Sequence, residues 1–315
     1  MKIHHDLPSS IVFKNPVITI GTFDGLHLGH RKIIDFLKLK AQEVNGESVV
    51  FTFHPHPRMV LHPEDHDLEL IQSIDERVEK FRKLGVDHVI VFPFDLPFSR
   101  LSATQFIRDI LVNKLKLHTL VIGYDHHFGR NREGSMQNLR ELAPLYDFDI
   151  CEISALIKED TNISSTKIRN ALKVGDLRTV SAFLGDHYKV FGKVVKGDRI
   201  GTEIGYPTAN VQLENSYKLI PGNGVYAVKV FVDDMKLSGM LNIGKRPTVS
   251  DSGEKRIEVH IFDFDRNIYN QKIELEFIEY IREEINFNGL VELKNQLKKD
   301  EEACRTVLDI QSPSV

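Results

Sequence analysis

Two histidines three residues apart follow an apolar stretch near the start of the chain, in GTFDGLHLGH at residues 21–30. Residues 17–21 (VITIG) predict a buried strand, and helical spacing of apolar residues begins shortly after the histidines. His27 and His30 are therefore expected on about the same side of an opening helix. Gly21 and Gly25 let the backbone approach a ligand closely. These residue types are compatible with metal binding, structural hydrogen bonding or phosphate binding.

A phosphate site suits this segment better than a zinc site. The free N–H groups at the start of a helix bind anions and favour a neutral imidazole, which still donates a hydrogen bond. No third zinc ligand stands at an obvious spacing. The glycine spacing is neither that of a P-loop nor that of the dinucleotide fingerprint. Structural packing of both histidines is the simpler interpretation, and the segment alone leaves the two interpretations open.

Three further polar segments of the first half follow predicted strands or begin a helix. His56 and Arg58 lie in FTFHPHPR, and Asp125 lies in GYDHHFGRNREG. Residues 163–172 (ISSTKIRNAL) place hydroxyl groups and a guanidinium around a predicted helix start: Ser164, Ser165, Thr166 and Arg169. Each segment also has a structural interpretation as a turn, a loop or a helix cap. Their common placement at one edge of a sheet favours an anion site there.

A second group of polar residues lies in GKVVKGDRIGTEIGYPTANV, at residues 192–211. Gly197 and Gly201 belong to a flexible loop. Thr208 and Asn210 are two residues apart, so their oxygens share one face of a strand. Hydroxyl and amide oxygens bind Mg²⁺ weakly and leave room for phosphates and water. A turn closed by Thr and Asn is the structural alternative.

Glu258 and His260 alternate on one face of the strand-like segment RIEVHIFDFD. A carboxylate on a largely apolar strand is costly unless it is paired or used. In phosphoryl transfer such a carboxylate accepts the proton of the substrate hydroxyl. An outward-facing Glu258 on a half-solvated sheet is the simpler interpretation.

The elements that must position these residues differ between the two halves of the chain. The first half alternates strands with helices, including capping-box spacings at Ser73/Glu76 and Ser102/Gln105, which predicts a parallel α/β sheet of Rossmann-like type. From about residue 187 the strand-like segments succeed one another, which predicts an antiparallel β-barrel followed by a C-terminal helix from about Val291. We therefore expect two domains, 1–186 and 187–315.

Composition limits the classes of protein that the chain can represent. The 315 residues carry a formal net charge of −4 and an estimated pI of about 6.4, so no general basic surface favours nucleic acid. The N-terminal sequence is too polar for a signal peptide, and no apolar stretch has the length of a membrane span. Two widely separated cysteines fit a reducing compartment. We expect a cytoplasmic protein without a membrane partner.

The first-half motifs GTFDGLHLGH, FHPHP, GYDHHFG and SSTKIR resemble the adenylyltransferase domain of the bacterial bifunctional riboflavin kinase/FAD synthetase family. The resemblance implies transfer of AMP from ATP to FMN, which gives FAD and pyrophosphate, with Mg²⁺ bridging phosphate oxygens. It implies that His27 and His30 are catalytic, and that His56 and Asp125 lie on the nucleotide or flavin side. The residues implied to bind ATP are Gly21, Phe23, Asp24, Gly25, Ser164, Ser165, Thr166 and Arg169. His126 departs from the aromatic residue expected after Asp125.

The second-half motifs GYPTAN, NIGKRPT, EVHIFDFD and REEINF…LKNQLKKDEEA resemble the riboflavin kinase module of the same family. The resemblance implies that Thr208 and Asn210 bind Mg²⁺ and ATP, and that Gly197 and Gly201 belong to a loop that covers the nucleotide. It implies that Glu258 is the catalytic base and that Arg282 positions the flavin. Tyr206 replaces an expected phenylalanine.

Together the motifs predict a bifunctional enzyme that converts riboflavin to FMN and FMN to FAD, with ATP as co-substrate of both reactions. Its expected partners are riboflavin, FMN and ATP, without nucleic acid, and self-association is left open. One alternative is an adenylyltransferase for another cofactor, of pantetheine or nicotinate nucleotide type, with a non-catalytic β domain. Others are a flavoprotein that only binds FMN and an RNA-binding relative of the aminoacyl-tRNA synthetases.

Overall fold

The computed structural model describes residues 1–7, 12–64, 68–123, 128–130, 133–153, 163–197, 200–245 and 255–309. The chain forms two compact units, Met1–Ser164 and Ser165–Val315. Contacts thus group residues 165–186 with the second unit, whereas the sequence places the boundary after residue 186. The functional boundary at 186/187 stays a prediction.

The first unit is built on a parallel sheet, as the alternation of strands and helices predicts. The sheet order is β1-β4-β3-β2-β5-β6, and every neighbouring pair is parallel. The strands are β1 Lys2–His4, β2 Val17–Ile20, β3 Ser48–His54, β4 His88–Pro93, β5 Thr119–Gly123 and β6 Asp149–Ile153. Val17 and Ile18 belong to two different apolar clusters, so the central strand buries both of its faces. The predicted fold class is confirmed for this half.

Helices connect these strands, and those predicted after the two histidines and at the two capping boxes are present. The helices are α1 Leu28–Glu43, α2 Pro57–Leu61, α3 Ile74–Lys83, α4 Leu96–Ser99, α5 Ala103–Gln105, a π-helix Phe106–Val112 and α6 Met136–Tyr146. Both predicted capping boxes are present, Ser73 with Glu76 and Ser102 with Gln105. Each box satisfies backbone N–H groups at a helix start that would otherwise lack partners.

The second unit begins with two helices and then forms a closed antiparallel barrel, which confirms the predicted barrel. The barrel order is β10-β11-β8-β7-β12-β9. The elements of this unit are α7 Ser165–Lys173, α8 Leu177–Leu184, β7 Tyr188–Val195, α9 Ile200–Glu203, β8 Ala209–Leu213, β9 Gly224–Val232, β10 Met235–Lys245, β11 Lys255–Ile261, β12 Lys272–Arg282 and α10 Leu290–Val307. The predicted C-terminal helix is present as α10.

Strand alternation decides which side chains of β11 are buried in the barrel. Ile257, Val259 and Ile261 are buried, so Glu258 and His260 lie on the outer face. Helix α10 packs over part of that outer face, and its Cys304 is buried in the cluster formed there. The covered side of the barrel thus offers a groove for a ligand. Within the described part of the chain, no helix combines the length and apolar character that crossing a membrane requires.

Candidate active sites

The loop after β2 lies where the strand order of the parallel sheet reverses direction. Strands β3 and β4 follow on one side of β2, and β5 and β6 lie on the other. Ligands of such sheets bind at this point, beyond the carboxyl ends of the strands. The loop turns sharply: Phe23, Gly25 and Leu26 all have positive φ angles, of 50°, 90° and 37°. A Cβ on Gly25 would also lie 3.1 Å from the Ile71 side chain, so glycine is needed there.

His27 and His30 form a stacked pair at the start of α1. Their ring centroids are 3.7 Å apart and their planes differ by 14°. His27 is the N-cap residue, and its Nδ1 accepts a hydrogen bond from the His30 backbone N–H at 3.3 Å. Because Nδ1 is the acceptor, the proton of neutral His27 lies on Nε2, which can donate to a ligand. Phe23 packs edge-on against His30, with centroids 5.3 Å apart.

Burial keeps both imidazoles neutral. It lowers the pKa of His27 to about 4, against the opposing effect of Asp24. Burial is also the main cause that holds the pKa of His30 well below its usual value, with further lowering by His27 and Arg77. The sequence predicted neutral imidazoles from the helix start, whereas the structure makes desolvation the main cause. Within the described residues, Nδ1 of His30 is buried without a hydrogen-bond partner.

A buried carboxylate and a buried guanidinium hold the loop that carries Phe23 and Gly25. Asp24 is 3% exposed, and its two oxygens accept the backbone N–H groups of Ile71 at 3.1 Å and Gln72 at 3.0 Å. Arg77 on α3 is 1% exposed and donates to the Thr22 carbonyl oxygen. The sequence analysis missed Arg77, because its pattern in α3 is that of an ordinary helix surface. ATP binding by Asp24 stays a prediction, and its observed hydrogen bonds position the loop.

The remaining first-half predictions fall in different parts of the chain. His56 is the N-cap of α2 and accepts from the Arg58 backbone N–H at 3.2 Å. Asp125 lies outside the described residues. Ser164 ends the first unit, and α7 begins at the next residue, as the predicted helix start requires. The helix carries the other three predicted phosphate ligands: Ser165, Thr166 and Arg169.

An aromatic cluster lies near the carboxyl ends of β3 and β4. The ring centroids of Phe53, Phe94 and Phe98 are 5.5 to 5.8 Å apart, and all three side chains are half-buried. Partly exposed aromatic faces at a sheet edge suit a flat, conjugated ring. The sequence analysis did not single them out, because phenylalanines near strand ends are more often core residues.

Two cavities on the barrel unit share one residue. The first, of about 320 Å³, is lined in part by Gly197, Thr208 and Asn210. The second, of about 290 Å³, is lined in part by Thr208, Glu258 and Arg282. Thr208 thus borders both. The structure therefore brings together Thr208, Asn210 and Glu258, which are up to 50 positions apart in the sequence.

The polar groups at this junction contact one another directly. Asn210 and Glu258 are paired across strands β8 and β11. The Nε of Arg256 lies 2.7 Å from Oδ1 of Asn210 and 2.7 Å from Oε1 of Glu258. A Cβ on Gly197 would lie 2.0 Å from Nδ2 of Asn210, so the glycine backbone packs directly on the amide. Arg256 was missed by the sequence analysis, because a basic residue beside an acidic one is typical of solvated strands.

The segment that precedes β8 is held by His260. Its Nδ1 lies 2.7 Å from the Pro207 carbonyl oxygen. Its ring packs edge-on against Tyr206, with centroids 5.2 Å apart. The tyrosine at the position where phenylalanine was expected therefore keeps an aromatic contact. Glu258 and His260, which share one strand face, thus contact the two ends of the same Tyr206–Asn210 segment.

Arg282 lines the second cavity from the end of β12. It makes a bidentate ion pair with Asp300 of α10, with Nε to Oδ1 at 2.8 Å and Nη2 to Oδ2 at 2.6 Å. Asp300 is only 2% exposed, so this pair fixes the guanidinium plane. Other side chains give the cavity an apolar wall: Ile285, Phe287, Leu293 and Leu297. The predicted flavin contact by Arg282 is compatible with this position.

The barrel site offers few protein ligands to a metal ion. Among the described residues, no group of three or more His, Cys, Asp or Glu side chains is arranged to hold one. Asn210 and Thr208 contribute neutral oxygens, and Oδ1 of Asn210 already accepts from a cationic guanidinium. Such a donor set fits Mg²⁺ that takes most of its ligands from phosphate and water.

Comparisons with known proteins identify a match in each half of the chain. A family model described as FAD synthetase matches residues 11–167. A second family model, described as riboflavin kinase, matches residues 184–308. The two matches are consecutive and cover both predicted domains.

Curated relatives match over nearly the whole chain. Two are the bifunctional riboflavin kinase/FMN adenylyltransferases of Bacillus subtilis, 38% identical over 92% of each chain, and of Haemophilus influenzae, 38% identical over 93% of this chain and 94% of the relative. The corresponding protein of Escherichia coli is 36% identical over 95% and 94%. The crystal structure of a macrolide-efflux protein from Streptococcus pneumoniae superposes with a TM-score of 0.84 and 30% identity, over 96% of this chain and 98% of that one.

Proposed function

This chain belongs to the bifunctional riboflavin kinase/FMN adenylyltransferase family, and from that premise we propose which of its residues carry out the two reactions. The chain is a transferase with two activities. It phosphorylates riboflavin with ATP to give FMN, and it transfers AMP from ATP to FMN to give FAD and pyrophosphate. The alternative of an adenylyltransferase for another cofactor is not favoured, because a riboflavin kinase model matches the second half.

For the kinase reaction, we assign the first barrel cavity to ATP and the second to riboflavin. The observation that supports this assignment is that Thr208 borders both cavities beside Glu258. Glu258 accepts the proton of the ribityl hydroxyl as the phosphoryl group arrives. Asn210 and Thr208 hold the phosphates together with Mg²⁺, which offsets their negative charge when it is bound. Gly197 and Gly201 allow the loop to approach the nucleotide.

For the adenylyl transfer, we assign the stacked imidazoles to the triphosphate. The FMN phosphate is itself the nucleophile, so the protein needs no nucleophilic side chain. The catalytic task is to align two anions and to offset the charge that develops at the α-phosphate. Neutral His27 and His30 donate hydrogen bonds to phosphate oxygens. As neutral groups they lack the second, acidic proton of an imidazolium, which could transfer to the substrate. Gly21, Phe23 and Gly25 form the loop against which the nucleotide lies.

We assign the remaining predicted residues to the phosphate side and to the nucleotide or flavin side of the adenylyl-transfer site, and to the flavin site of the kinase. Ser164, Ser165, Thr166 and Arg169 bind ATP phosphates around the start of α7, and Asp24 acts by positioning the loop at residues 21–25. His56 and Asp125 lie on the nucleotide or flavin side. Arg282 contacts the flavin of the kinase reaction. We add Phe53, Phe94 and Phe98 as a stacking surface for the ring of FMN.

One incubation tests both activities. Purified protein is supplied with riboflavin and Mg-ATP, and the flavins are separated by chromatography over time. FMN is expected to appear first and FAD to follow, and chelation of Mg²⁺ is expected to stop both reactions. In a parallel incubation, a pantetheine or nicotinate nucleotide replaces riboflavin; an adenylylated product there, without any flavin product from riboflavin, would instead support the alternative. We place these reactions in the cytoplasm, because Cys151 and Cys304 are both unpaired thiols.

A further inference from the structure

The guanidinium of Arg256 stands between the two side chains that the kinase reaction uses. Its Nε lies 2.7 Å from Oδ1 of Asn210, the atom assigned to Mg²⁺, and 2.7 Å from Oε1 of Glu258, the atom assigned to the hydroxyl proton. A cation therefore already contacts the amide oxygen that is assigned to the metal. The same cation pairs with the carboxylate that has to act as the base.

We propose that Arg256 takes the place of the divalent cation in the ligand-free kinase site, and that the metal must displace it. The proposal rests on the kinase function assigned above. A guanidinium and a divalent cation repel each other strongly at contact distance, because their charges are separated by only a few ångström. The amide oxygen has two lone pairs, so it is this repulsion that disfavours simultaneous contact with both cations.

The two partners differ in their freedom to move. Asn210 is 8% exposed, lies in β8 and is packed against the backbone of Gly197, so its amide has a fixed position. The Arg256 side chain is 29% exposed, and its long stem allows the guanidinium to turn toward solvent. Strand register places Asn210 opposite Glu258, and Arg256 lies two residues before Glu258 on the same face. The fixed amide and the long side chain together indicate that displacement proceeds by movement of Arg256.

This arrangement couples the base to the arrival of the metal-bound nucleotide. While Arg256 is in place, the carboxylate of Glu258 is paired and the oxygen of Asn210 is occupied. When the cation takes that oxygen, the guanidinium leaves and the carboxylate becomes accessible to the riboflavin hydroxyl. Arg256 is therefore a positioning residue that keeps the site charge-balanced until the metal binds.

Binding of Mn²⁺ to the full chain at saturating ADP tests the displacement, because the nucleotide supplies the phosphate ligands that the barrel site lacks. Protein-bound Mn²⁺ and Mn²⁺–ADP in solution differ in their electron paramagnetic resonance signal. Replacement Arg256→Met removes the competing charge and keeps the stem. We expect it to tighten Mn²⁺ binding by about tenfold or more. Addition of Asn210→Ala to this variant is expected to abolish the gain, because it removes the amide ligand.

Arg140→Met is the matched control. Arg140 makes an exposed ion pair with Glu152, at 2.8 Å, so its removal also leaves a carboxylate without its cationic partner. We expect no comparable gain there. Two further variants separate charge from shape: Arg256→Gln is expected to bind Mn²⁺ more tightly than the parent, and Arg256→Lys is expected to stay near it. If Arg256→Met fails to fold, the binding of Mn²⁺ to Arg256→Gln tests the proposal.

Two results would overturn the proposal. The first is Mn²⁺ affinity in the Met and Gln variants no higher than in Arg140→Met. The second is a gain that survives Asn210→Ala, which would place the cation elsewhere. Riboflavin phosphorylation by the parent protein is measured separately, so failure of the assigned function and failure of the displacement are distinct outcomes. Circular dichroism and cooperative thermal unfolding of both units report whether each variant is folded.

Discussion

The two candidate sites differ in the charge of their side chains. In the parallel-sheet unit, His27 is buried, His30 is half-buried with a buried Nδ1, and desolvation keeps both neutral at the start of α1. In the barrel unit, Arg256, Glu258 and Asn210 form a charge-balanced group in which the two charged side chains are 29% and 27% exposed. The first site lies at the carboxyl edge of a sheet, and the second lies on the outer face of a barrel.

The difference follows from the nucleophile that each reaction uses. In the adenylyl transfer that we propose, the attacking phosphate already carries its charge, so the site needs groups that offset charge but no base. In phosphorylation of riboflavin the attacking hydroxyl must lose a proton, so a carboxylate is required. Glu258 is partly buried, and a carboxylate in that position is costly without a partner. Arg256 is that partner. On these assignments, the acceptor of the phosphoryl or adenylyl group determines whether the site needs a charged base.

The largest effect is expected from Glu258→Gln, which tests whether the charged site serves only the hydroxyl. Loss of the base should slow FMN formation about 10²–10⁴-fold. Conversion of supplied FMN to FAD should continue at the parent rate. Glu274→Gln is the control, because Glu274 is another carboxylate on a barrel strand and pairs with Lys189 at 2.6 Å. Loss of both activities in a folded Glu258→Gln protein would argue against separate sites.

The reverse pattern is expected for His30→Ala. Removal of one donor from the neutral pair should slow FAD formation about 10²–10³-fold, while riboflavin is still converted to FMN. Rates of both reactions are measured with purified protein. His62→Ala is the control, since His62 is exposed at the end of α2. FAD formation at the parent rate in the His30 variant would refute the phosphate role of this histidine.

Acidification should destabilise the first unit through His27. The pKa of His27 is about 4 in the folded protein, against 6.5 for an unperturbed histidine. Between these values the unfolded chain binds more protons than the folded one, so stability falls as the pH decreases through this window. Complete protonation of His27 lowers the free energy of unfolding by about 3 kcal/mol. This stability is fully present at pH values above 6.5, the pKa of an unperturbed histidine.

Hydrogen exchange of the α1 and β2 amides at pH 7.5 and 5 measures this effect. His27→Gln cannot titrate, so its loss of protection on acidification should be smaller than that of the parent. His62→Gln should behave as the parent does, because His62 is exposed. Equal pH dependence in the parent and His27→Gln would show that burial does not keep this imidazole neutral.

The smallest of these effects is expected from Asp24→Asn, which separates positioning of the loop from chemistry. An amide can accept only one of the two backbone N–H bonds that Asp24 accepts, from Ile71 and Gln72, so the first unit should lose about 1–3 kcal/mol. The rate of FAD formation should fall, and the rate of FMN formation should not change. Asp109→Asn removes an exposed carboxylate that pairs with Arg108, and it should leave the stability of the first unit nearly unchanged. Unchanged stability of Asp24→Asn would contradict the positioning role.

Local patterns predicted most of the elements. The strand predicted at residues 17–21 is observed as Val17–Ile20. The capping boxes and the final helix are also confirmed. The helix predicted after Ser102 continues as a π-helix, Phe106–Val112, which the sequence analysis did not anticipate. Apolar spacing does not separate an i→i+4 from an i→i+5 hydrogen-bond pattern, because both bury one face.

The site residues that the sequence analysis missed share a physical cause. Arg77 contacts Thr22 across 55 positions, Arg256 contacts Asn210 across 46, and Asp300 holds Arg282 across 18. The sequence neighbours of a charged residue do not predict whether its side chain contacts solvent or a side chain from a distant segment. These contacts exist only because separate elements pack together.

By itself, the sequence determined which chemical groups are present, the strands and helices that carry them, and the order of two phosphate-handling modules. Only the tertiary structure decided the state of those groups: burial made the imidazole pair neutral, and strand pairing placed Arg256 between Asn210 and Glu258. Desolvation and pairing are sums over neighbours contributed by distant segments, and so no local pattern contains them.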